Sequence, residues 1–148
     1  GQTIFSLPSG VDAKTIVEVH AHEQNWRSLV FVSDRVGIQS VVKMDGDTGL
    51  SEPMAIASDY LKTMVSVALS AHTTPVRRVL VLGMGAGSLP SLIARCCPET
   101  TCVDAIELDA TVAQAAQECL GLDASRVSVH IDDALLWLRS RAELATKS

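Results

Sequence analysis

An α/β fold is predicted for this 148-residue chain by three features of its sequence. Only 3% of the residues are aromatic while 47% are hydrophobic, so the core must be built from Val, Leu, Ile and Ala, the usual filling of a sheet covered by helices. An unbroken apolar run, VLVLG at Val79–Gly83, leads directly into a glycine-rich turn and a helix-forming stretch. From Arg78 onward, strand-like and helix-like segments alternate at lengths that imply parallel strands joined by right-handed crossovers.

KTIVEVHAHEQNWRSLVFVSDRVGIQSVVKM holds three β-rich pieces, around Thr15–His20, Ser28–Ser33 and Gly37–Lys43; the first alternates, all are rich in β-branched residues, and SDRVG reads as a hairpin turn. They predict a small antiparallel sheet. MDGDTGLSEP, Met44–Pro53, concentrates acids, glycines and a proline and reads as an exposed loop. The next stretch, MAIASDYLKTMVSVALSAH, places Met54, Ile56, Leu61, Met64, Val65 and Leu69 near helical spacing and ends before the Thr74–Pro75 turn. A division follows: residues 1–53 as an N-terminal antiparallel β region and loop, and 54–148 as a helix plus the alternating half.

Within that second half VLVLG is a fully apolar strand, SLPSLIARC starts a helix, and CVDAIELD is a second strand. TVAQAAQECLG is a helix closed by Gly121, RVSVHIDD a third strand and ALLWLRSRAEL a last helix. Ala134, Trp137 and Leu138 read as core, as does Met64. There is no internal repeat.

Charge and composition exclude several partners. Five basic residues face eight acidic ones before Pro75, and seven face nine after it. No basic face is concentrated anywhere, so nucleic acid is not an expected partner. No apolar run approaches the roughly 18 to 20 residues that span a bilayer, so membrane insertion is not expected either. GQTIFSLPSG shows neither the basic start nor the apolar core of a signal peptide. Cys96, Cys97, Cys102 and Cys119 have no histidine at ligand spacing, which argues against a metal site. They read as buried or semi-buried free thiols of a reducing compartment, cytoplasmic or organelle matrix.

The chemistry is concentrated at three strand ends. Gly83-Met84-Gly85-Ala86-Gly87 lies between a buried strand and a helix, where glycines bring the backbone and a helix N-terminus up to a ligand. A tight strand-to-helix turn needs glycine anyway, so the loop alone is a weak signal. Glu107 ends the second strand twenty residues later, where a carboxylate accepts from ribose hydroxyls, and Asp132 and Asp133 end the third. Their bland reading is solvated strand ends, and ELD supplies two acids where one would serve. No Lys-Ser/Thr follows the glycines, and GAGSLP departs from the dinucleotide fingerprint, so a nucleoside without a pyrophosphate fits better.

VLVLGMGAGSLPSLIA, VDAIELD and VSVHIDDALLWL resemble the first, second and third cofactor motifs of class I S-adenosylmethionine-dependent methyltransferases, most closely those of the spermidine-synthase-like branch. RSLVFVSDRVGIQSVV, DYLKTMVSVAL and GMGAGSLPSLIARCCPETTCVDAIELD are similar to the second methyltransferase domain of proteins that methylate translation elongation factor 1A. The resemblance runs from about Arg27 to Leu138. It implies an incomplete Rossmann-like sheet, strands in the order 3-2-1, preceded by the small antiparallel sheet and a helix. By position it implies that Gly83, Gly85 and Gly87 face the methionine part of S-adenosylmethionine, Glu107 the ribose and Asp133 the adenine, with Leu108 and Ala134 walling the ring. Tyr60 stands where the aminopropyltransferases carry a Tyr-Gln pair, but Leu61 replaces the Gln.

In the family a fourth strand ends in an acidic motif that positions or deprotonates the acceptor. No counterpart is expected here, so no catalytic residue is assigned, and His20, His22, His72 and His130 read as ordinary surface or core histidines. The order 3-2-1 leaves Val79–Gly83 as an apolar edge, which a protein partner or a second chain is expected to cover. Two functions fit: the donor-binding part of a methyltransferase whose acceptor half lies elsewhere, or an inactive methyltransferase-like structural subunit of a larger assembly.

Overall fold

A computed structural model describes residues 1–55 and 59–146. Two sheets make up the molecule. The first is an antiparallel meander of β1 (Gln2–Pro8), β2 (Ile16–Ala21), β3 (Trp26–Val32) and β4 (Val36–Lys43). The second is parallel, β5 (Arg78–Leu82), β6 (Cys102–Glu107) and β7 (Val127–Ile131) in that order, with β6 in the middle. In chain order α1 (Asp59–Ser70) separates the two sheets, α2 (Ser88–Cys96) follows β5, α3 (Ala110–Cys119) follows β6, and α4 (Ala134–Thr146) follows β7. The expected 3-2-1 order is the observed one.

One helix joins the two sheets. The sequence ATVAQAAQEC gives α3 two narrow apolar stripes. Ala113 and Ala116 face the parallel sheet, in a core with Val81, Ile93, Val103, Ala105 and Val127. Val112 and Ala115 face the antiparallel sheet, in a second core with Val17, Val19, Leu29, Val42 and Met44. Alanine at these positions lets backbones approach on both sides, and a larger side chain would overpack one of them. At the end of α3, Gly121 has φ +69° and its carbonyl accepts from Ser51 N at 3.0 Å; a Cβ there would lie 2.3 Å from that nitrogen. Glycine is required at this position twice over, by conformation and by space.

Several expectations are corrected. β1 joins the antiparallel sheet as a fourth strand, although its mostly exposed side chains give little apolar patterning. The ends of the Met44–Pro53 loop are not exposed: Met44 and Ser51 are buried and bridge each other. Among the described residues the helix around Leu61 starts at Asp59, and Met54 is exposed before it; Ile56 lies outside the described residues. Met64 and Leu138 are exposed and Trp137 is half-buried, because α1 and α4 each have a face that meets no other element. All four cysteines are free, but Cys96 is exposed, with its thiol 3.6 Å from the Met54 sulfur. No described helix is long and apolar enough to cross a membrane, and the described residues hold no cluster of His, Cys, Asp and Glu fit for a metal ion.

Candidate functional site

The parallel register aligns the carboxyl ends of β5, β6 and β7. Gly83 N donates to Ile106 O at 2.9 Å and Asp132 N to Glu107 O at 3.0 Å, so the ladders continue one residue past each strand. The glycine loop, the Glu107 turn and the Asp132–Asp133 pair therefore stand side by side on one edge. That is the edge at which open α/β sheets bind ligands.

Gly83, Gly85 and Gly87 have φ of +80°, +56° and +82°. At Gly87 a Cβ would strike Leu122, whereas at Gly83 and Gly85 it would meet nothing within 4 Å. The first two glycines thus leave an open face, and the third lets α2 start close to the core. Gly87 O accepts from Ser91 N, and Gly87 N donates to Met84 O, which closes the loop onto the helix.

Glu107 is not a solvated strand end. It is 9% exposed, its Oε2 accepts from Met84 N and Gly85 N at 3.1 Å each, and its Oε1 accepts from Asp109 N at 3.1 Å. The carboxylate latches the glycine loop to the β6–α3 turn. Asp133 is half-buried and caps α4, its Oδ1 accepting from Leu135 N and Leu136 N at 2.8 and 3.0 Å. Asp132 is exposed and accepts from Asp133 N. Leu108, beside Glu107, is an exposed apolar side chain, and Ala134 is half-buried at the start of α4.

The second acid of ELD has its own function. Asp109 is buried, caps α3 through Thr111 N at 2.8 Å, and accepts from Ser9 Oγ and Gly10 N of the β1–β2 loop. Burial works to raise its pKa, but the bonds from Ser9, Gly10, Thr111 and Val112 outweigh it and hold the carboxyl below its ordinary value. An acid directly before a helix is the signal that could have found the cap. Nothing in the local pattern pointed to a partner a hundred residues away.

On the other side of the glycine loop lies a cleft of about 280 Å³, reached by Gln39 and Ser40 of β4, Tyr60, Leu61 and Met64 of α1, and Ser88. Among the described residues its lining holds neither lysine nor arginine. The Ser88 hydroxyl is buried with no hydrogen-bond partner among the described residues, an arrangement that is costly unless something else supplies a bond. Sequence reading missed Gln39, Ser40 and Ser88 because they come from two elements, β4 and α2, that lie far apart along the chain.

The histidines lie elsewhere. His20 pairs with Glu18 at 2.7 Å, His22 with Ser28 at 2.8 Å, and His72 is exposed. His130 bonds Asp104 at 2.8 Å in mid-sheet, beside Trp137, over which Arg141 stacks at 4.9 Å. The His130 bond holds the Asp104 carboxyl below its ordinary value, against burial and together with the Cys102 thiol. The Asp104 bond in turn raises the Cys102 thiol.

No protein-family model matches the chain. It is 39% identical over 69 residues to the tRNA1(Val) (adenine(37)-N6)-methyltransferase of Salmonella arizonae, covering 45% of this chain and 28% of that protein. It is 38% identical over 65 residues to the human eEF1A lysine and N-terminal methyltransferase, covering 43% of this chain and 9% of that one. Among solved structures, a probable spermidine synthase from Corynebacterium glutamicum superposes with a TM-score of 0.66 at 21% identity, over 90% of this chain and 46% of that chain. Human methyltransferase-like protein 13 in complex with SAH superposes with a TM-score of 0.50 at 28% identity, over 57% of this chain and 40% of that chain. The chain thus spans under a third of the curated relatives it matches and under half of these structures.

Proposed function

From a chain that carries the class I methyltransferase fold in its spermidine-synthase-like form, we propose the donor-binding half of an S-adenosylmethionine-dependent methyltransferase. The observation that carries this reading is the single edge on which an open glycine loop, a buried carboxylate and a capping aspartate stand in register. The residues fit a nucleoside sulfonium in several ways. Gly83 and Gly85 leave room for close approach of the methionine portion. The unpartnered Ser88 hydroxyl offers a bond at the N-terminus of α2. Glu107 accepts three bonds, while a carboxylate has about four lone-pair sites, so one acceptor direction is left for a ribose hydroxyl. Leu108 and Ala134 supply apolar surface for an adenine beside Asp133.

When bound, S-adenosylmethionine supplies an electrophilic methyl group on sulfur. The chain's own part is to hold and orient it, which is most of what methyl transfer asks of a protein. The two relatives are named for different acceptors, a tRNA adenine and eEF1A. Matches to relatives named for different acceptors suit the donor rather than either acceptor, and acceptor recognition in this reading belongs to elements beyond the matched regions. The apolar edge of β5 is read as the seat of a further strand, from the same polypeptide or a partner chain.

A second reading, a methyltransferase-like structural subunit, is favoured by one observation. Glu107 is already engaged by three backbone amides and is useful without any ligand. Calorimetric titration with S-adenosylhomocysteine separates the two. Donor binding predicts saturation in the native chain, loss in Gly85→Val, and retention in Gly49→Val, a control at φ +70° with equally open surroundings in a distant loop. A folded chain that gives no heat favours the structural subunit.

A further inference from the structure

The antiparallel sheet is wired to the site by a continuous run of hydrogen bonds. Ser9 Oγ and Gly10 N donate to the Asp109 carboxylate, Asp109 N donates to Glu107 Oε1, and Glu107 Oε2 accepts from Met84 N and Gly85 N. Thr111 adds a parallel tie, its hydroxyl donating to Pro8 O at 2.9 Å. Ser9 is itself fixed, because its oxygen accepts from Val11 N and Asp12 N at 3.1 Å each and its amide donates to Thr15 O at 2.8 Å. Asp12 braces the same turn through Lys14 N and Thr15 Oγ1. Every link is short, and the two carboxylates at its centre are both buried.

We infer that Ser9, Gly10 and Asp109 are positioning residues for Glu107, so that the β1–β2 turn sets how the ribose hydroxyls of the methyl donor are read. The inference rests on the donor-binding function proposed above and assigns part of that site to the N-terminal sheet. A carboxylate free to rotate could still accept a hydroxyl, but not while holding both loop amides. With Asp109 clamped from the opposite side, the residue 107–109 turn has a single geometry, and the acceptor direction left on Glu107 is fixed with it. Preorganisation of this kind is expressed as discrimination between ligands more than as overall affinity.

The test uses the 148-residue chain and two probes, S-adenosylhomocysteine and its 2′-deoxyribose analogue. The native chain is expected to prefer the first by about tenfold, the range of a hydrogen bond to a charged group. Ser9→Ala is expected to reduce that preference to about twofold or less, and Ser9→Thr to restore it. Val30→Ala, a change at a buried residue of β3 whose side chain takes no part in these bonds, serves as the stability control and should lower the melting point while keeping the tenfold preference. Hydrogen exchange at the Met84 and Gly85 amides, measured without ligand, provides a second readout, and should speed up in Ser9→Ala but not in Val30→Ala. If Ser9→Ala does not fold, Thr111→Val cuts the parallel tie and takes its place.

An unchanged preference together with unchanged exchange in the variant would overturn the inference. If the native chain binds neither probe, the donor reading fails and with it the ribose assignment. Exchange at Met84 and Gly85 still decides whether the turn is coupled to the glycine loop.

Discussion

The centre of the parallel sheet and its margins have opposite fates. Around β6 and α3 the packing is closed: Ala105, Ile106, Ala115, Ala116 and Leu120 are fully buried. Around β5, α1 and α4 it is open. No residue of α1 is buried, Leu82 is 48% exposed, and Met64, Val67, Leu135 and Leu136 are exposed too. A groove of about 430 Å³ runs between α1 and the β5 edge, lined by Met64, Val65, Leu69, Val79, Leu89 and Ile93 among others. Apolar patterning thus states which surfaces must be covered, not which are covered by the chain itself. The contrast also separates two roles: the closed centre fixes the glycine loop and Glu107, and the open margin holds the β5 edge at which the proposed further strand would sit.

Core truncation should sharpen that contrast most. Ile106→Ala is expected to cost about 3 kcal/mol in denaturant unfolding, whereas Leu82→Ala should cost under about 1 kcal/mol, since little of it leaves water on folding. Equal costs would break the comparison. Gly121→Ala should follow, because the Cβ both strains a positive φ and strikes Ser51 N. Gly49→Ala, strained but unobstructed, should cost about 1 kcal/mol, so that the difference between the two isolates the collision.

Acid titration probes the junction between the sheets. Asp109 has a depressed folded pKa, so its stabilisation is complete above the ordinary value of 3.8 and is lost as the pH falls below it towards the folded value. Asp109→Asn should lower stability at neutral pH by about 2 kcal/mol and flatten this part of the acid limb. An acid limb identical to that of the native chain would contradict the clamp. The smallest effect belongs to the open margin: Leu82→Lys with Met64→Gln should shift stability by about 0.5 kcal/mol or less in denaturant unfolding.

Much of this was legible in the sequence, for identifiable reasons. VLVLG, CVDAIELD and RVSVHIDD are short apolar runs punctuated by glycine and acids, and local patterning of that kind is what sequence carries best. Gly121 closed α3 where a helix-ending glycine was expected. β1 escaped because its side chains are mostly exposed and its partners give it order. Met64 and Leu138 were read as core from spacing alone, but spacing describes a helix face and not what meets it. Glu107 was legible as a position and not as a latch, since its bonds reach back to residues 84 and 85. Asp109 reaches Ser9 and Gly10 across about a hundred residues, a separation that no window along the chain can bridge.

The most direct measurement is a two-dimensional amide NMR titration of the chain with S-adenosylhomocysteine. Donor binding at the strand ends predicts saturable shifts confined to residues around 83–89, 107–109 and 132–135, with the α1–β5 groove at Val65, Leu69 and Val79 unmoved. A well-dispersed spectrum that does not change, or shifts centred on the groove instead, would contradict the account.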